Sequence, residues 1–218
     1  MRKICKGTKC NEIAIDITEA LASVTKNLSI EDYFYLKDFQ ERKHYLTDEI
    51  YAGSVEDICK AILQYNKEDK DIDPEGRQPV LLYLDTLGGD VTEGFRLIDV
   101  IQSSKTPVYI INLGTCYSMG FIIYAVGHKR FASKNATFLM HDGSMQASGS
   151  TSKTRDYMEF NDRLDARCKD IIVATTQISS KLYDEQLRKE WYMFSDEAKE
   201  LGLVDYILGV DCDIDDII

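Results

Sequence analysis

Val80-Leu81-Leu82-Tyr83-Leu84-Asp85-Thr86-Leu87-Gly88-Gly89-Asp90-Val91-Thr92-Glu93-Gly94 is the stretch that decides the fold. Its first five residues are a continuous apolar run, the pattern of a strand buried on both faces in a parallel sheet. The diglycine ends that run. Asp90 then offers a helix N-cap with Glu93 three residues on, and Val91, Phe95, Ile98 and Ile101 fall on one face of the helix that follows. The same unit recurs at once. Val108-Tyr109-Ile110-Ile111 predicts a second buried strand, Gly114 breaks it, and Ser118 opens an apolar helix through Val126. Two successive strand-loop-helix units predict an α/β fold, a parallel sheet with helices outside.

Upstream, Val55, Ile58, Ile62 and Tyr65 stand at helical spacing, so residues 54–65 read as an amphipathic helix. Residues 66–78, with five acidic residues, Pro74 and Gly76, read as a surface loop. Downstream, residues 130–132 and 137–140 read as short strands, the second ending on His141. A small, polar stretch from Gly143 to Ser152 leads into a long helix over 154–178, in which Tyr157, Phe160, Leu164, Cys168, Ile171 and Ile178 make an apolar stripe. A stripe that long outruns what one compact domain can cover, which predicts burial against another subunit. The last unit is a short helix from Ser195 to about Gly202 and a strand over 203–207.

The chain has 218 residues, enough to bury a sizeable core. Lys plus Arg number 26 against 37 Asp plus Glu, a net charge of −11 that argues against nucleic acid or anionic lipid as a partner. Residues 205–218 hold five Asp and no basic residue. The longest apolar runs fall far short of the ~20 residues that span a bilayer, and Met1-Arg2-Lys3 is not followed by a secretory apolar segment. The expected compartment is cytoplasmic. Six scattered Cys with no C-x-x-C pair suit reduced thiols, and no metal site or cofactor is expected.

A hydroxyl nucleophile needs a base, and the base needs an orienting acceptor. The bases are His44, His128 and His141. The first two read as solvated surface residues, whereas His141 stands at the carboxyl end of a strand, where parallel α/β sheets place working residues. Ser118, between a buried strand and an apolar helix, would have backbone N–H groups beside its hydroxyl; an ordinary N-cap serine would look the same. Cys116-Tyr117-Ser118-Met119-Gly120 misses the G-x-S-x-G elbow, so an α/β-hydrolase is not supported.

Leu87-Gly88-Gly89-Asp90-Val91-Thr92-Glu93-Gly94, Gly114-Thr115-Cys116-Tyr117-Ser118-Met119-Gly120, Phe138-Leu139-Met140-His141 and Glu197-Ala198-Lys199-Glu200-Leu201-Gly202-Leu203-Val204-Asp205 together resemble, in order and spacing, the family of Clp protease proteolytic subunits. The likeness covers about residues 41–207 and implies a ClpP/crotonase-like fold. It implies Ser118 as nucleophile, His141 as general base, and the amides of Gly89 and Met119 as an oxyanion hole. It also implies a strand-helix handle over about 143–178 within a peptidase domain at 39–208, with a divergent segment at 1–38 and an acidic tail at 209–218. Ungapped alignment back from Gly202 puts Glu190 where the family usually has the triad Asp, with Asp184 and Asp196 as alternatives. Asp142-Gly143 replaces the family's Gln-Pro, and residues before about Asp38 do not follow the loop that contacts the unfoldase.

The leading reading is a serine endopeptidase acting on unfolded or dedicated polypeptides inside a homo-oligomer. A ring or two stacked heptameric rings is implied, with an ATP-dependent unfoldase as a candidate partner. The alternatives are a catalytically silent scaffold of the same fold and a crotonase-like acyl-CoA enzyme.

Overall fold

A computed structural model of the chain describes residues 29–144 and 148–217. Two of the six cysteines, Cys5 and Cys10, and part of the expected handle strand lie outside them. Contacts divide the chain into two units, Met1–Glu41 and Arg42–Ile218. In the first, helix α1 (Ile30–Gln40) starts on a reciprocal cap: the Ser29 hydroxyl accepts the Asp32 amide and the Asp32 carboxylate accepts the Ser29 amide. The sequence reading had no element here.

The second unit runs β1 (Lys43–Leu46), α2 (Ala52–Glu68), β2 (Val80–Thr86), α3 (Val91–Ser103), β3 (Val108–Tyr117), α4 (Met119–Ala125), β4 (Lys129–Ser133), β5 (Thr137–Met140), α5 (Thr151–Thr175), α6 (Ser180–Gln186), β6 (Trp191–Phe194), α7 (Ser195–Glu200) and β7 (Tyr206–Leu208). Strands β1-β2-β3-β4-β7 are parallel neighbours in that order. The expected α/β architecture is present. Val80, Leu82 and Leu84 alternate with Leu81 and Tyr83, and both sets are buried, as a two-faced parallel strand requires. The helix-side face carries α4, of which every residue is buried. On the opposite face Leu81, Tyr83, Ile111 and Phe131 cluster with Ile217, which anchors the acidic stretch before it to the sheet.

Gly114 does not end its strand. β2 advances two residues, from Leu84 to Thr86, while β3 advances four, from Asn112 to Cys116, so β3 bulges and continues to Tyr117. Asp85 pins the bulge by accepting both the amide and the hydroxyl of Thr115 at 2.9 and 2.7 Å. Asn112, fully buried, accepts the Gly114 amide and donates to the Thr137 carbonyl. Beyond the bulge β3 leaves β4 and pairs with β5, so a new sheet edge forms where the site lies.

Four other expectations need correction. The surface loop expected at 66–78 is exposed over 70–76 but begins only after Glu68, where α2 ends, and its start is tied inward: Asp69 is buried in a two-pronged ion pair with Arg42 at 2.6 and 2.7 Å, and its Oδ2 also accepts the Thr106 hydroxyl. His44 contacts the Tyr65 hydroxyl through Nε2 at 3.1 Å, and His128 Nδ1 accepts the Val108 amide at 3.0 Å, so neither is merely solvated. Burial also holds the His128 pKa below its ordinary value. The long helix spans 151–175, not 154–178, because Thr176 turns extended and returns its hydroxyl to the Ile172 carbonyl. The last strand starts at Tyr206 rather than 203, after a loop closed by Asp205 on Arg130.

Within α5 only Cys168 and Ile172 are buried, both in its second half. Tyr157, Met158 and Phe160 stand 44–53% exposed. Among the described residues no helix is long and apolar enough to cross a membrane.

Candidate active site

Ser118 sits at the turn from β3 into α4 with φ 53° and ψ −121°. A left-handed backbone costs a residue bearing Cβ about 1–3 kcal/mol and persists only where its surroundings impose it. Two bonds impose it here: the Ser118 amide donates to the Leu139 carbonyl of β5 at 2.9 Å, and the Ser118 carbonyl accepts the Phe121 amide at 3.0 Å. The hydroxyl caps nothing. An N-cap serine has extended backbone and spends its side chain on the helix; Ser118 does neither. The sharp strand-to-helix elbow missing from the local glycine pattern is therefore present in the backbone.

The diglycine turn packs against this elbow. A Cβ on Gly88 (φ 102°) would lie 2.7 Å from Ser118 Cβ and 3.2 Å from the Met119 nitrogen, so only glycine lets the turn come this close. Ile50 holds the other side of the turn: its amide donates to the Gly88 carbonyl at 2.8 Å and its carbonyl accepts the Asp90 amide at 2.7 Å. Since backbone groups of an extended segment alternate, the Gly89 N–H faces away from Ile50. Among the described residues, the amides of Gly89 and Met119 have no acceptor. Met119 is buried, where an unpaired amide is uncommon, whereas Gly89 is exposed and its N–H is open to solvent or a ligand.

His141 follows the last residue of β5. That strand is antiparallel to β6 with Met140 opposite Trp191, a register that sets His141 opposite Glu190 one step later. The two meet at 3.1 Å, Nδ1 to Oε1. The Asp142 amide, donating to the Leu187 carbonyl at 2.8 Å, holds the segment after His141 against the end of α6. In the tautomer that donates Nδ1–H to Glu190, Nε2 is left as the basic nitrogen. The His141 side chain is 26% exposed and that of Glu190 58%.

The other carboxylates raised from the sequence are engaged elsewhere. Asp184 receives Lys169 of α5 on both oxygens at 2.7 Å, and Asp196 caps the Glu197 amide. The structure thus joins His141 to Glu190 and sets Ser118 beside the Gly88-Gly89 turn and the adjoining strand of His141. Among the described residues no hydrogen bond joins the Ser118 hydroxyl to His141. Catalytic hydrogen bonds in unliganded sites are commonly open and close around substrate. Cys116 is no rival nucleophile: its thiol points at the Gly120 carbonyl and burial pushes its pKa far up. Among the described residues no cluster of His, Cys, Asp and Glu could hold a metal ion.

Sequence reasoning missed β6 as an element, and it missed Thr86, whose side chain supports the glycine turn. Thr86 lies two residues before Gly88, the offset at which a hydroxyl turns back on the chain, so a signal was there.

The Clp protease family model matches residues 28–211. Among curated proteins, the ATP-dependent Clp protease proteolytic subunit 2 of Treponema pallidum (strain Nichols) is 24% identical over 186 residues, covering 84% of this chain and 90% of that relative. With the matched region taking in every strand of the sheet and both sides of the elbow, the chain belongs to the Clp protease family.

Proposed function

We propose that the chain is a serine endopeptidase that hydrolyses peptide bonds of unfolded or dedicated protein substrates. The observation that carries this reading is Ser118, held in a strained elbow with its hydroxyl uncommitted, packed against the Gly88 turn and bonded to Leu139, two residues before the His141 that pairs with Glu190. Family membership supports a ClpP-type protease.

In the proposed cycle the Ser118 oxygen attacks the peptide carbonyl while His141 Nε2 takes its proton. Glu190 orients the ring and balances the imidazolium charge. The amides of Gly89 and Met119 receive the developing oxyanion, a contribution worth about 10²–10³ in rate per donor in comparable sites. The tetrahedral intermediate expels the amine, which takes the proton from His141, and leaves an acyl ester on Ser118. Water, deprotonated by the same histidine, then frees the acid and restores the serine.

We further propose a homo-oligomer, a ring or two stacked heptameric rings, with α5 as the handle between subunits. The exposed apolar first half of α5 supports that assembly. A polypeptide is the substrate and an ATP-dependent unfoldase a partner, in the cytoplasm. The division into a segment at 1–38, a peptidase domain at 39–208 and a tail at 209–218 belongs to the same reading. The family match favours a peptidase over an acyl-CoA enzyme.

Ser118→Ala should abolish hydrolysis of fluorogenic short peptides and leave the assembly mass unchanged, and His141→Ala should be about as severe, since members of a triad act as a unit. Full activity in purified Ser118→Ala protein would refute the mechanism.

A further inference from the structure

The two amides proposed to hold the oxyanion come from different elements, the β2–α3 turn and the first residue of α4. Their separation must be fixed to a few tenths of an ångström for both to donate to one oxygen. Thr86, the last residue of β2, touches both. It is 2% exposed. Its hydroxyl accepts the Gly88 amide at 3.1 Å and donates to the Asp48 carbonyl at 2.6 Å. Ile50 holds the Gly88 carbonyl and the Asp90 amide on either side of Gly89, whose own N–H has no acceptor among the described residues. The methyl of Thr86 meets the other element: a Cβ on Gly120, next to Met119, would lie 2.7 Å from Thr86 Cγ2. One side chain thus sets the height of the turn by its hydroxyl and the seat of α4 by its methyl.

We propose that Thr86 is a positioning residue, the spacer that fixes the Gly89 amide relative to the Met119 amide. This rests on the reading of Ser118 as nucleophile. Thr86 touches no substrate; it acts through Gly88 and Gly120. Thr86→Val keeps the methyl contact and removes the hydroxyl, leaving the Gly88 amide and the Asp48 carbonyl unanswered. The turn then shifts, and a misplacement near 1 Å costs about 100-fold in rate.

The test uses the full chain with Thr86 as wild type, Val, Ala and Ser. Turnover is measured on fluorogenic tripeptide amides. Affinity is measured for the boronic acid matching the best-cleaved tripeptide, which forms a tetrahedral adduct on a reactive serine, and for the peptide acid that is the product. Thr86→Val and Thr86→Ala should lose about 10- to 100-fold in kcat with KM within about threefold. Boronate affinity should fall by the same factor while product affinity holds, because only the tetrahedral species uses both amides. Thr86→Ser, which keeps the hydroxyl but loses the methyl, should recover the part of the rate that the hydroxyl supplies and fall between wild type and Thr86→Ala.

Wild-type turnover in Thr86→Val would overturn the proposal, as would boronate and product affinities falling together. Failure of both the Val and Ala proteins to assemble as the wild type does would also overturn it, making Thr86 a residue of the fold alone. A wild-type protein that forms no boronate adduct on Ser118 would overturn the nucleophile reading and this proposal with it. A normal wild-type adduct beside an unaffected Thr86→Val would overturn this one only.

Discussion

Glu190→Gln is the most informative single substitution, because it keeps size and shape and removes only charge. The carboxylate stands 3.1 Å from His141 Nδ1, with its side chain 58% exposed. Two unit charges at that distance attract by about 1 kcal/mol at the dielectric of water and about 5 kcal/mol at the value near 20 typical of a protein surface. In the proposed cycle the imidazolium forms as Ser118 gives up its proton, so this attraction acts on the barrier rather than on the ground state. At 1.36 kcal/mol per decade, kcat should fall about 10-fold if water keeps access to Glu190 and up to about 10⁴-fold if neighbouring subunits cover it. The loss thus measures how far assembly closes the site. The assay is steady-state hydrolysis of a fluorogenic peptide, with kcat and KM separated and KM expected to change little. Glu190→Asp, one methylene shorter, should retain part of the rate. Turnover in Glu190→Gln within twofold of wild type would refute the pairing as a working one and leave the 3.1 Å contact as surface structure.

Other substitutions probe the frame. Gly88→Ala places a Cβ 2.7 Å from Ser118 Cβ and 2.9 Å from the Tyr117 carbonyl at φ 102°, so it should cost about 1–3 kcal/mol of stability in thermal unfolding and at least 100-fold in kcat; an unaffected enzyme would contradict the close packing of turn on elbow. Phe160, 44% exposed in the single chain, can become Glu without harming the fold, so Phe160→Glu should break the assembly into smaller species by light scattering after size exclusion; a wild-type mass near 24.9 kDa would contradict the oligomer. Burial, with Asp162 and Asp142 nearby, raises the Asp165 pKa above its unfolded value. Its ionised form therefore opposes folding at neutral pH, and that cost fades as pH falls through the folded value. Asp165→Asn should then melt higher than wild type at pH 7.5, with the advantage gone below about pH 4. An equal advantage at both pH values would refute the electrostatic cause.

The sheet was legible because Val80–Leu84 and Val108–Ile111 carry apolar residues on both faces, a local property of the chain. The bulge at Gly114 was not, since it depends on Asp85 reaching across from β2 to hold Thr115. Strand β6 is four residues long, Trp191-Tyr192-Met193-Phe194, and gains its identity from pairing with β5. That pairing is also what brings Glu190 to His141, 49 residues apart in sequence; no periodicity could reveal it, and only the family resemblance pointed there. Ser118 was visible as a residue between strand and helix, but its left-handed backbone comes from its bond to Leu139 in another strand. His44 and His128 were read as solvated because Tyr65 and the Val108 amide, their partners, lie far along the chain.

The proposed mechanism requires one activated serine, Ser118. Incubating the native protein with a fluorophosphonate probe, followed by digestion and mass spectrometry, tests it most directly, because such probes phosphonylate a serine only when a base removes its proton and an oxyanion site receives the charge. One major adduct is expected, on the peptide containing Ser118, abolished in Ser118→Ala and strongly slowed in His141→Ala. An adduct on a different serine, or no adduct from an assembled protein that hydrolyses peptides, would contradict that mechanism.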